Sequence, residues 1–136
     1  MKALRTLLAL SATLALTVAC GGVKDVNETH TGTLTDDDAR LPDDNSPYDS
    51  YEVRLGKGQN LRIDLASADF DTYLVLRRGN EIVQRNDDCP NPPSGNSLDS
   101  CIEMTVEQAG TYEVIANALF ESGRGAYTLT INAAKP

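Results

Sequence analysis

The feature that most limits what this chain can become is the beat of its apolar residues. Tyr51, Val53 and Leu55 alternate with polar neighbours, the turn cluster Gly56-Lys57-Gly58-Gln59 interrupts, and Leu61, Ile63 and Leu65 resume the alternation. Successive side chains of an extended strand point to opposite faces, so a period of two marks a strand with one buried face. The pattern returns at Ile102, Met104 and Val106, and again at Tyr127, Leu129 and Ile131. Residues 72–78, TYLVLRR, are more continuously apolar, as in a strand covered on both faces. Gly79-Asn80 then suits a two-residue hairpin loop, because both residues tolerate positive φ. No amphipathic helix of good length competes. About seven or eight short strands with turns between them predict an all-β fold, an antiparallel β-sandwich. With no Trp and two Phe, its core must come mainly from Leu, Val, Ile and Tyr.

The first residues follow another rule. Lys2 and Arg5 precede TLLALSATLALTVA, residues 6–19, which carry no charge. A bilayer span needs about 20 apolar residues, so this shorter run reads as a secretory signal over residues 1–19. It ends in LTVACGG, residues 16–22, which resembles the lipobox of bacterial lipoproteins, with Thr17 where Leu is usual. The resemblance implies that Cys20 carries lipid and anchors the chain to a membrane. Gly21 in place of Asp implies an outer-membrane or cell-surface location. Ordinary cleavage after Ala19 is the other route. Residues 20–29 are then expected as a polar tether and residues 30–136 as the sandwich domain.

Three cysteines in an exported chain leave one over. With Cys20 lipidated, Cys89 and Cys101 can pair. The segment between them holds Pro90, Pro92, Pro93 and Gly95, so a crosslink has a floppy loop to restrain. The alternation of residues 101–106 puts Cys101 on the outer face of its strand, where such a loop can reach it. Zinc fits poorly, since the sole histidine, His30, is distant in sequence and no CxxC occurs. The chain has 20 acidic and 12 basic residues. That balance argues against nucleic acid as a partner and against electrostatic docking to anionic lipid.

The candidate site is the hairpin ADFDTYLVLRRGNEIVQRNDDC, with acid pairs at both ends. If Arg78 opposes Glu81, the same register sets Asp71 against Asp88, with Asp69 and Asp87 nearby. Opposed Cβ atoms lie about 5 Å apart, so the carboxylates need compensation. Asx-type loop capping is the first reading. A calcium site built from Asp69, Asp71, Asp87 and Asp88 is the second. A catalytic acid pair is a remote third, since a small hydrolase would need a cleft that this short chain has no spare segment to build. No GxSxG or P-loop occurs. The run Asp36-Asp37-Asp38 lacks the Gly and spacing of an EF-hand and reads as a solvated loop.

An ordered set of pieces resembles the bacterial pre-peptidase C-terminal domain. The set begins with Gly32-Thr33-Leu34, Asp49-Ser50-Tyr51-Glu52-Val53, Gly58-Gln59-Asn60-Leu61 and Asp69-Phe70-Asp71-Thr72-Tyr73-Leu74. It continues with Asn86-Asp87-Asp88, Asn96-Ser97, Gly110-Thr111-Tyr112 and Gly125-Ala126-Tyr127, so that residues 30–133 are covered. The resemblance implies a jelly-roll-like sandwich and a non-catalytic role: binding an extracellular or envelope partner, protein or polysaccharide, with calcium in some members. The alternatives are a structural envelope lipoprotein or an accessory to a separately encoded secreted protease. The cysteine pair is not expected across the family.

Overall fold

The structure, a computed structural model, describes residues 22–136. The leader expected over residues 1–19 and the expected lipid anchor at Cys20 lie outside the described residues. Nine strands follow in order: β1 (Val26–Leu34), β2 (Ala39–Arg40), β3 (Pro47–Leu55), β4 (Asn60–Ala66), β5 (Thr72–Arg78), β6 (Glu81–Asn86), β7 (Ser100–Thr105), β8 (Gly110–Ala118) and β9 (Gly125–Ala134). They form two antiparallel sheets, ordered β1-β9-β4-β7 and β2-β3-β8-β5-β6. Leaving out the two-residue β2, eight strands in these orders make a jelly roll. The expected all-β sandwich is what forms.

The alternation seen in the sequence is the burial pattern. Leu55, Ile63, Leu65, Leu74, Leu76, Val114, Leu129 and Ile131 are completely buried between the sheets. Phe70 joins this core while Phe120 stands exposed.

Two expectations need correction. Residues 26–29, expected to belong to a tether, are part of β1: Val26 already packs against the core and β1 pairs with β9 from Val26↔Ala133 onward. The hairpin register also changes. Arg78↔Glu81 and Arg77↔Ile82 hold, but beyond them Leu76 pairs with Gln84 and Leu74 with Asn86. A bulge at Val83 adds one residue to β6, and that valine packs against the core. The extra residue carries Asp88 out of line with Asp71, which precedes the first residue of β5.

The long connections, residues 35–46, 67–71, 87–99 and 119–124, gather at one end of the sandwich. The tight turns 56–59, 79–80 and 106–109 and the entering segment 22–25 occupy the other. Gln59, fully buried, secures that entry end. Its Oε1 accepts from Gly56 N–H at 2.7 Å and its Nε2 donates to the Lys24 carbonyl at 3.1 Å.

The two sides where the sheets meet are closed differently. On one, Cys89 after β6 and Cys101 in β7 form the expected disulfide, with Cα atoms 5.0 Å apart. It ties edge strand β7 of one sheet to the loop leaving edge strand β6 of the other. On the other side, Tyr127 of β9 reaches across its pairing partner Gly32 to the opposite sheet. Its hydroxyl donates to the Asp49 carboxylate and meets the Tyr51 hydroxyl at 2.5 Å. A Cβ on Gly32 would stand 2.2 Å from that hydroxyl, so only glycine leaves the passage open.

Candidate functional site: an acidic corner at the long-loop end

The loop end is stitched by polar side chains. Asp99 is buried and accepts from Ser67 N–H at 3.1 Å, Asn96 Nδ2 at 3.3 Å and the Ser94 hydroxyl. Thr72 and Ser100, also buried, share a hydroxyl bond of 2.6 Å, and Ser100 donates to the Asp87 carbonyl at 2.9 Å. Asn86 Oδ1 receives Cys101 N–H at 2.9 Å. These bonds fix the backbone that carries Asp87 and Asp88. Sequence reasoning passed over Asp99, Thr72 and Ser100. Their one signal is position: polar residues at strand ends in a chain whose loops have many backbone donors to satisfy.

Of the four aspartates expected to act together, three gather. Burial, and then the charges of Asp88 and Asp87, hold the Asp71 carboxyl above the ordinary carboxylate range. Its Oδ1 is enclosed without a hydrogen-bond partner. Asp87 and Asp88 are exposed, and Asp87 Oδ1 caps Asp88 N–H at 3.0 Å. Asp69 is engaged elsewhere: its Oδ2 accepts from Ala126 N–H at 2.8 Å. A Cβ on Gly125, at φ 130°, would stand 2.3 Å from that of Asp69. Asp69 is thus a cap on the start of β9.

Three carboxylates suit a hard cation that takes oxygen ligands. Their oxygens are not drawn to one point, however. Among the described residues a single trio of candidate ligand atoms lies within 4.8 Å, namely Asp64, Cys89 and Cys101. The two sulfurs of that trio are committed to the disulfide, and Asp64 pairs with Arg62 at 2.7 Å. The one histidine, His30, bonds Glu28 at 3.0 Å and lies tilted against the ring of Tyr51.

A second unusual residue lies on the outer face of the five-stranded sheet. Asn117 is fully buried between Tyr48 and Tyr73, its pairing partners on either side, and both its amide atoms lack partners.

The family model of the bacterial pre-peptidase C-terminal domain matches residues 47–118, from β3 to the end of β8. The chain belongs to this family. The matched span of this pre-peptidase C-terminal domain includes the acidic corner and both disulfide cysteines. Among solved structures, it is similar to the pre-peptidase C-terminal domain of a collagenase from Bacillus anthracis. That likeness has a TM-score of 0.55 at 16% identity, covering 78% of this chain and 89% of that one. It is also similar to PliG of Aeromonas hydrophila, a periplasmic inhibitor of g-type lysozyme. There the TM-score is 0.52 at 10% identity, with 81% and 86% covered. At such identities the likeness is one of fold. No curated protein matches the chain.

Proposed function

We propose that this pre-peptidase C-terminal domain is an exported, non-catalytic lipoprotein that acts by contact, with the long-loop end as its contact surface. One observation carries the proposal: the charge of that end. Its loops hold ten aspartates and Glu121 against only Arg40 and Arg124. Both arginines already lean on Asp36, at 3.6 and 2.8 Å. Such a field draws cationic groups and repels phosphate, which favours a protein or polysaccharide surface bearing positive charge over nucleic acid. Phe120 and Leu98, exposed at the same end, supply apolar contact. Asp71, Asp87 and Asp88 form the corner where calcium would sit, drawn there by an ionisable oxygen with no partner of its own. The matching fold of a lysozyme inhibitor is consistent with a scaffold that works by binding. The family match also favours a second reading, service as an accessory to a separately encoded secreted protease.

The test is capture from envelope extract with calcium present and absent, comparing the wild-type protein with Asp71→Asn and Asp87→Asn/Asp88→Asn. The expected result is a captured component that weakens in the variants. An identical captured set from all proteins in both conditions would reject the acidic end as the contact surface. Lipidation is separable. Cys20→Ala should move the protein out of the membrane fraction, and continued detergent-dependent fractionation would contradict the anchor.

A further inference from the structure

We propose that two copies of this chain pair antiparallel through β1, joining their four-stranded sheets into one. The strand pairs with β9 along all nine residues without a bulge. Among the described residues its other edge makes no backbone hydrogen bond. Unpaired edges are templates for strand addition, and proteins usually blunt them with proline, lysine, a bulge or a very short strand. The other edges here are blunted: β2 has two residues, the stretch of β3 that β2 leaves uncovered follows Pro47, β6 is bulged, and β7 lies under the disulfide. The sequence of β1, VNETHTGTL, contains no such device.

The side chains select a register. With a two-fold axis at Thr29, Glu28 of one copy faces His30 of the other, Asn27 faces Thr31, and Val26 faces Gly32. A cross-strand pair of opposite character is favourable, whereas like charges opposed are not. Moving the axis by one residue either way sets Glu28 against Glu28 or His30 against His30.

Charge along the molecule selects the antiparallel direction independently. Every lysine among the described residues, Lys24, Lys57 and Lys135, lies at the end where the chain enters. Asp25 and Glu107 share that end, yet it is far less negative than the loop end. The same register places Lys24 of one copy opposite Leu34 of the other, beside the acidic run Asp36-Asp37-Asp38, and the symmetry repeats this contact. A parallel pair would press the two acidic ends together. The acidic corner at Asp71 lies toward the opposite side, with β5 and β6, and is left free.

An edge junction of this length buries less than a standard interface and falls among weak, transient ones, so the test spans a wide concentration range. The experiment is sedimentation equilibrium of the full exported protein in density-matched detergent, from about 1 to about 300 µM, at low and high salt. A dimer that weakens tenfold or more in about 1 M salt is expected. Glu28→Lys should weaken it at least tenfold, and Glu28→Lys/His30→Glu should restore it to within a few-fold. Amide exchange should show β1 gaining protection as concentration rises. A monomer throughout the range, a dimer indifferent to the charge swap, or protection arising elsewhere would each overturn the proposal. If Glu28→Lys does not fold, the wild-type exchange pattern decides.

Discussion

Removing the Cys89–Cys101 crosslink should cost this domain a definable amount of stability. The two cysteines are 12 positions apart. In the chain-entropy picture, opening a loop of that size returns about 3 kcal/mol of freedom to the unfolded state. For a domain of this length the corresponding fall in Tm is about 10 °C. The loop is also held by Cys89 N–H to the Asp99 carbonyl at 2.7 Å and by the Thr72–Ser100 bond, so the native fold should survive. Urea unfolding of oxidised protein, dithiol-reduced protein and Cys89→Ala/Cys101→Ala distinguishes the causes. The reduced protein and the double variant should lose similar free energy, with a slightly larger m-value because the freed chain exposes more surface. A loss below about 1 kcal/mol would refute the entropic account. So would a double variant far less stable than the reduced wild type, which would make packing of the buried Cys89 the larger contribution.

Three further outcomes follow from single residues. Tyr127→Phe deletes a buried hydroxyl that donates to the Asp49 carboxylate and should cost about 1.5–3 kcal/mol in urea unfolding; no change would mean the bond does not hold the sheets together. Asn117→Leu removes a buried amide with no partners and should raise Tm, by up to about 3 kcal/mol of stability, whereas a lowered Tm would show that the amide is satisfied. The folded state holds Asp71 above its unfolded pKa, so ionising it opposes folding. Stability should therefore fall as pH rises from about 4 through the raised value. Asp71→Asn should flatten that slope and raise Tm in chelator while removing any gain from added calcium. An unaltered pH profile and an unaltered calcium response would exclude Asp71 from both roles.

Much of the architecture could be read from periodicity alone, because a sandwich buries alternate residues and Leu61, Ile63 and Leu65 show it directly. Register could not. The bulge at Val83 is an extra residue with no local signature in the sequence, and it shifted the expected Asp71–Asp88 opposition. Likewise Asp69 matches the other aspartates in composition, but its carboxylate answers to Ala126, 57 positions away. Polar residues of β1 hid its start, since an edge strand needs few apolar side chains and Val26 alone touches the core at its outset. The cysteine pair was legible for the opposite reason: two thiols and a proline-rich loop leave few other arrangements.

The unequal closure of the two sides has a dynamic consequence. Where β6 meets β7 the sheets are sewn together covalently, but where β1 meets β3 they are latched by a phenol and a carboxylate. The weaker closure is the latch, so thermal opening is expected first there, where the β1–β9 edge of one sheet parts from β3 while the sewn side keeps the acidic corner assembled. A molecule that loosens in this order can yield at its point of entry and still present an intact far end.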